Sequence, residues 1–163
     1  MRLRSLLIVF PLLTLCLASC GESPVLDETR PFDGGIWNRF KPEVFDVNIE
    51  KPDDFYNITV ELVVDSALMR GNSFPLTVNL YSPDNEHRMF YTGLLLRNGD
   101  RWKGESAGEG LRVVKQNIRE YFSFRGKGTH RLEIGQATSQ YDLEGVRSMH
   151  VTIAKAEIDY DDL

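Results

Sequence analysis

Tyr56-Asn57-Ile58-Thr59-Val60-Glu61-Leu62-Val63-Val64-Asp65 alternates apolar and polar side chains at a period of two, with Val63 the one exception. A helix would bring residues three and four apart onto one face. Here Tyr56, Ile58, Val60, Leu62 and Val64 share a face only if the chain is extended. The same period recurs outward from this stretch. Phe45, Val47 and Ile49 alternate with Asp46, Asn48 and Glu50 on one side; Leu76, Val78 and Leu80 alternate with Thr77 and Asn79 on the other. Further on, Met89 and Tyr91 begin a run that ends near Leu95. Ile118, Phe122 and Phe124 share one parity, Leu132 and Ile134 another, and Met149, Val151 and Ile153 a last one.

Turn residues separate the runs: Lys51-Pro52-Asp53-Asp54, Arg70-Gly71-Asn72-Ser73, Ser82-Pro83-Asp84-Asn85, Asn98-Gly99-Asp100 and Arg125-Gly126-Lys127-Gly128. Asn-Gly supplies the positive φ of a tight hairpin. About eight short strands with turns at this spacing predict an all-β fold, an antiparallel β-sandwich of jelly-roll type. Leu111 to Tyr121 is ambiguous, because Val113, Val114, Asn117, Ile118 and Tyr121 also match a helical stripe.

The N-terminus has a different grammar. Arg2 and Arg4 precede an apolar run from Leu6 to Leu17, broken only by Pro11 and Thr14. Its length suits a signal-peptide core and falls short of the roughly 20 residues that span a bilayer as a helix. Leu17-Ala18-Ser19-Cys20 then reads as a lipobox. Cleavage falls between Ser19 and Cys20, and the Cys20 thiol takes the lipid. About three acyl chains would hold the membrane far better than one. The expected domains are a signal peptide over 1–19, a flexible tether over 20–31, a β-sandwich over 32–158 and an acidic tail over 159–163.

Processing removes two of the 19 basic residues, leaving 17 Lys and Arg against 24 Asp and Glu, a net charge of −7. That balance argues against nucleic acid as a partner. Cys16 leaves with the signal and Cys20 is acylated, so the domain is expected to hold no disulfide, cysteine–metal site or cysteine nucleophile.

Catalytic patterns are sparse. His87 lies in a predicted turn, and His130 and His150 are expected as solvated residues at strand starts on the polar parity; none has a metal-binding spacing. Gly99 to Gly110 matches neither a P-loop nor a dinucleotide fingerprint, and predicts a loop or strand edge where backbones approach closely. Gly104-Glu105-Ser106-Ala107-Gly108 resembles a nucleophile elbow but lacks its strand-to-helix setting. Asp53, Asp54, Glu43, Glu105 and Glu109 could supply a glycosidase pair, as any surface this charged could. The expectation is no enzyme, no cofactor and no metal.

Trp37, Phe40, Phe45, Phe55, Tyr56, Trp102, Tyr121 and Phe122 could build a sugar-stacking platform. Parity already places Phe45 and Tyr56 inside, which leaves Trp37 and Trp102 as candidate ligand or partner contacts. Asp65-Ser66-Ala67 looks like the three-residue O-glycosylation signal of exported Bacteroidetes proteins, with Ser66 as acceptor.

These features in order resemble the GldH family of gliding-motility lipoproteins of the Bacteroidetes. The likeness is carried by the lipobox, Trp37, Phe45-Asp46-Val47, Tyr56-Asn57-Ile58, Arg70 with Phe74-Pro75-Leu76, Asn79-Leu80 and the Ser82-Pro83 turn. In the second half it is carried by Gly99-Asp100-Arg101-Trp102-Lys103-Gly104, Phe122-Ser123-Phe124, His130-Arg131, Gln136-Ala137-Thr138 and Leu143-Glu144-Gly145-Val146. The resemblance implies a non-enzymatic envelope component linked to gliding motility and type IX secretion, with other envelope proteins as partners. Only Glu22 adds acidity just after Cys20, which leans towards an outer-membrane anchor facing the periplasm. A carbohydrate-binding lipoprotein is the alternative expectation.

Overall fold

The computed structural model describes residues 22–157. The signal, Ser19, Cys20 and the tail 159–163 lie outside the described residues. Its strands are β1 (Leu26–Pro31), β2 (Ile36–Asn38), β3 (Glu43–Ile49), β4 (Phe55–Asp65), β5 (Ser73–Tyr81), β6 (His87–Leu95), β7 (Arg97–Asn98), β8 (Arg101–Trp102), β9 (Glu105–Ser106), β10 (Leu111–Ser123), β11 (Gly128–Gln136), β12 (Asp142–Glu144) and β13 (Val146–Lys155). Eight of them are six residues or longer, and seven of these carry the alternating runs of the sequence.

Those eight, with the short β9, form an antiparallel sandwich. One sheet has the order β1-β13-β4-β10-β9, the other β3-β11-β5-β6. The first long strand pairs with the last, β3 with β11, β4 with β10 and β5 with β6. That nesting is a long hairpin rolled up on itself, the jelly-roll arrangement. The inner faces supply one core, with Phe45, Val47, Ile49, Ile58, Val60, Leu62, Val64, Leu76, Val78, Leu132, Ile134, Met149, Val151 and Ile153 all at 0% exposure.

Side chains close the seams between the sheets. On one side Arg30 of β1 donates to the carbonyl of Val44 on β3 and lies over the Phe45 ring. On the other, the Gln116 amide donates to Gly93 O at 3.2 Å and accepts from Leu95 N at 3.0 Å. Arg88 donates to Ser123 O beside it. An exposed strand edge invites unwanted pairing, and these bonds occupy part of it.

One expectation needs correction, and one ambiguity is resolved. Residues 26–31 belong to β1 and not to a tether: only Leu26 anchors this strand in the core, but its backbone runs in register with β13 from Leu26↔Ile153 to Pro31↔Ser148. An edge strand held by its ladder needs little apolar alternation, so composition concealed it. Leu111 to Tyr121 is strand and not helix, pairing with β4 from Leu111↔Asp65 onward. Two irregularities, between Asn117 and Arg119 and between Arg119 and Phe122, shift the register in turn and restore parity for Phe122. Among the described residues no helix is long and apolar enough to cross a membrane.

Candidate functional site

The antiparallel order sorts the connections to two ends. At the end where the chain enters, with Glu22, lie the turns 50–54, 82–86 and 124–127, each of four or five residues. At the far end lie 32–42, 66–72, 96–110 and 137–145, of seven to fifteen residues. The long connections form small sheets of their own, β2 with β12 and β7 with β8.

The far end carries a cleft of about 360 Å³ lined by Pro31, Phe32, Asp33, Trp37, Asn38, Glu43 and Asp142, among others. Its floor is Trp37, whose ring stacks between Phe32 and Phe74 at centroid distances of 4.8 and 5.8 Å. Burial pushes the Glu43 carboxyl above its ordinary range, against the opposing pull of Arg30. At the rim, the Asn38 amide donates to Asp142 Oδ1 at 2.6 Å and its oxygen accepts from Phe40 N at 2.9 Å. Arg39 N donates to Tyr141 O. This network fixes two aromatic rings in the open: Phe40 is 71% exposed and Tyr141 67%, with centroids 5.7 Å apart. A rigid pair of exposed rings beside carboxylates and an amide can stack on a flat apolar ligand face and accept hydrogen bonds from its hydroxyls. A second hollow of about 210 Å³ sets Arg70, Ser73, Thr138, Ser139 and Gln140 over Met69, Phe74 and Leu143.

Gln136 organises this end. It is buried, donates to Gln140 O at 2.9 Å, and its carbonyl accepts from Thr138 N and Thr138 Oγ1.

The entry end is built from ion pairs. Lys51 meets Glu22 at 2.8 Å, Lys155 meets Asp54 at 3.0 Å and Glu22 at 3.7 Å, and Lys127 meets Glu50 at 2.7 Å. The hydrogen bond from Lys51, then the charge of Lys155, holds the Glu22 carboxyl below its usual range. Two aromatics stand out of this end: Phe55, 42% exposed, and Tyr121, 53% exposed. Tyr121 sits in a bulge at φ +50°, its N–H donating to Asn57 Oδ1. A left-handed conformation at a bulky residue costs on the order of 1–3 kcal/mol and persists only where its surroundings enforce it.

The sequence-predicted positions fare unevenly. Trp37 is 1% exposed, so it is not a contact surface; its indole N–H is spent on Lys41 O and its faces on Phe32 and Phe74. Trp102 is half-buried under Arg97, whose guanidinium lies 4.2 Å from the ring centroid. The cleft floored by Trp37 does not include Trp102. Ser66 turns its hydroxyl onto Gly110 O at 2.7 Å, a bond that a glycan there would replace. Asp53 and Asp54 sit at the opposite end from Glu43, Glu105 and Glu109. His130, expected in solvent, is wholly buried, its ring nitrogens facing Arg125 O and Gly128 O at 2.8 and 3.2 Å. It shares parity with Leu132 and Ile134, a signal already present in the sequence. His150 does lie on the outer face, bridging Thr29 and Asp27 of β1. Gly104 confirms the close approach: a Cβ there would stand 2.0 Å from Val113 O. Phe40 was weighed in the sequence as one aromatic of eight, whereas Tyr141 carried no signal beyond an aromatic in a polar loop.

No family model and no curated protein matches the chain. Among solved structures it is similar to a family GH115 4-O-methyl-α-glucuronidase with specificity for decorated arabinogalactans, at 15% identity and a TM-score of 0.39. The match covers 82% of this chain and 17% of that enzyme. At that similarity it carries no argument about activity.

Proposed function

We propose that the protein is a lipid-anchored, non-enzymatic component of the bacterial cell envelope. It is held in the outer membrane through Cys20, faces the periplasm, and serves the machinery of gliding motility and type IX secretion. The supporting observation is the lipobox at Leu17-Ala18-Ser19-Cys20, placed six residues before the first strand of a sandwich that the chain enters at one end. An anchor there leaves the four long connections at the opposite end, where a partner can reach them; loops on a rigid scaffold are common sites of recognition. Phe40 and Tyr141 are the contacts we assign to that partner. The ordered motifs that resemble GldH lipoproteins supply its identity as another envelope protein.

Cys20→Ser tests the anchor. The variant should fold and leave the membrane fraction; retention in the membrane would defeat the proposal. In-cell crosslinking of the tagged wild-type protein should recover envelope-machine proteins and lose them in Phe40→Ser/Tyr141→Ser. Recovery of none, with motility and secretion normal in a deletion strain, would defeat the partner.

A second reading is favoured by the exposed ring pair beside Asn38, Asp142 and Glu43. The same rim could stack a sugar ring, making this a glycan-capturing lipoprotein. Polysaccharide binding that disappears in Phe40→Ser/Tyr141→Ser would establish it, and no binding at millimolar glycan would remove it.

A further inference from the structure

We propose that the entry end of the sandwich is a membrane-resting surface, with Phe55 and Tyr121 seated among the headgroups of the bilayer that holds Cys20. This rests on the lipid-anchor reading above and adds an orientation to it.

Chain length is the first support. Cys20 and Glu22 are two residues apart, a span of at most about 7 Å even fully extended. Glu22 is in turn pinned to Lys51 and Lys155. Headgroups occupy roughly 5–7 Å on each side of the hydrocarbon core. With its lipid inserted and these pairs made, the chain spans little more than the headgroup layer and keeps this end close to the surface.

The second support is what stands there. Lys155 pairs in register with Tyr56, and Tyr121 N–H bonds to Asn57 on the same strand. β13, β4 and β10 are neighbours, so Tyr121 lies about 10 Å, two strand spacings, from the pinned entry point. Phe55 opens β4 between them. Tyrosine combines an apolar ring with a polar tip and suits the membrane–water interface. A bulge re-aims a side chain, and the strained one at Tyr121 points that ring outward at the one end a lipid would hold down.

Charge shows which kind of surface fits. Glu22, Glu50, Asp53, Asp54, Asp84 and Glu86 stand here against Lys51, Arg125, Lys127 and Lys155, and several are already paired. Among the described residues this end has no excess positive charge to offer an anionic lipid. The contact is aromatic, and it suits zwitterionic headgroups.

The test uses the full-length protein, acylated in a lipoprotein-processing host and reconstituted into phosphatidylcholine vesicles. With Cys20 acylated, a cysteine introduced as Ser123→Cys or Ser139→Cys gives a single fluorophore at the entry or far end. Headgroup-nitroxide lipid should quench the probe at 123 strongly and the probe at 139 no more than background. Phe55→Ser/Tyr121→Ser should still float with the vesicles and, still held near the surface by the short tether, should show weaker but not absent quenching at 123. Equal quenching at both positions, or quenching at 123 undiminished in the double variant, overturns the proposal while the anchor stands. Failure of the unmutated protein to float overturns both.

Discussion

The two ends of this sandwich close the same strands with different materials. The entry end uses turns of four or five residues tied by ion pairs. The far end uses connections of up to fifteen residues, one of which buries its own indole, Trp37, while another is held by the buried Gln136 amide at the end of β11. β11 shows the contrast in a single strand. Its first turn of sequence buries His130, which holds the carbonyls of the 125–128 turn, and its last residue buries Gln136, which holds the 138–140 loop. A short turn is specified by its own residues. A long loop must borrow a piece of core, and what it does not bury it can present.

The largest effects should come from removing that borrowed core. Trp37→Ala should cost about 3–5 kcal/mol, the range for deleting a large buried aromatic, measured by urea unfolding. Hydrogen exchange should rise in β2, β12 and 137–141 while the entry turns stay protected. Equal loss at both ends would mean that they are one cooperative unit and the comparison fails. His130→Leu and Gln136→Leu come next. Each strands buried backbone groups without a partner, at about 1–3 kcal/mol. The first should loosen 124–128 and the second 137–141, read by the same exchange experiment.

The contrast explains what was legible in the sequence. Period-two alternation exposes every strand that carries its own apolar face, so β3, β4, β5, β11 and β13 were readable from residues such as Phe45, Ile58, Val78, Leu132 and Val151. Asn98-Gly99 announced the β7–β8 turn, where Gly99 adopts φ +61°. β1 was hidden because its ladder, not its side chains, holds it. The far-end site was hidden for a related reason. Phe40 and Tyr141 are 101 residues apart in the chain, and only the pairing of β2 with β12 brings them together. Trp37 misled because polar sequence neighbours say little about a residue roofed by Phe32 and Phe74.

Strain gives a smaller effect of opposite sign. Tyr121→Gly should relieve the left-handed backbone and gain about 1 kcal/mol, after allowing for the greater flexibility of glycine in the unfolded chain. A loss of stability would show that the ring, and not the bulge, supports this end of β10. A gain accompanied by weaker headgroup contact would separate the cost of the bulge from its use.

The smallest effect is the one that distinguishes the ends by sign. Burial raises the Glu43 carboxyl from its ordinary value of 4.5. The folded state then holds its proton more tightly than the unfolded chain does, so this group's contribution is full below the unfolded value and lost as pH rises through the folded one. Glu22 is the reverse: Lys51 and Lys155 lower it, and its contribution is present above the unfolded value and lost as pH falls through the folded one. Glu43→Gln should therefore leave stability unchanged in acid and raise it slightly at pH 7. Glu22→Gln should do nothing in acid and lower it slightly at pH 7, as expected of an exposed pair. Urea midpoints from pH 3 to pH 8 would show the two differences opening in opposite directions. If both variants shift the same way at neutral pH, net charge is being read and not two local environments, and the electrostatic half of the comparison is lost.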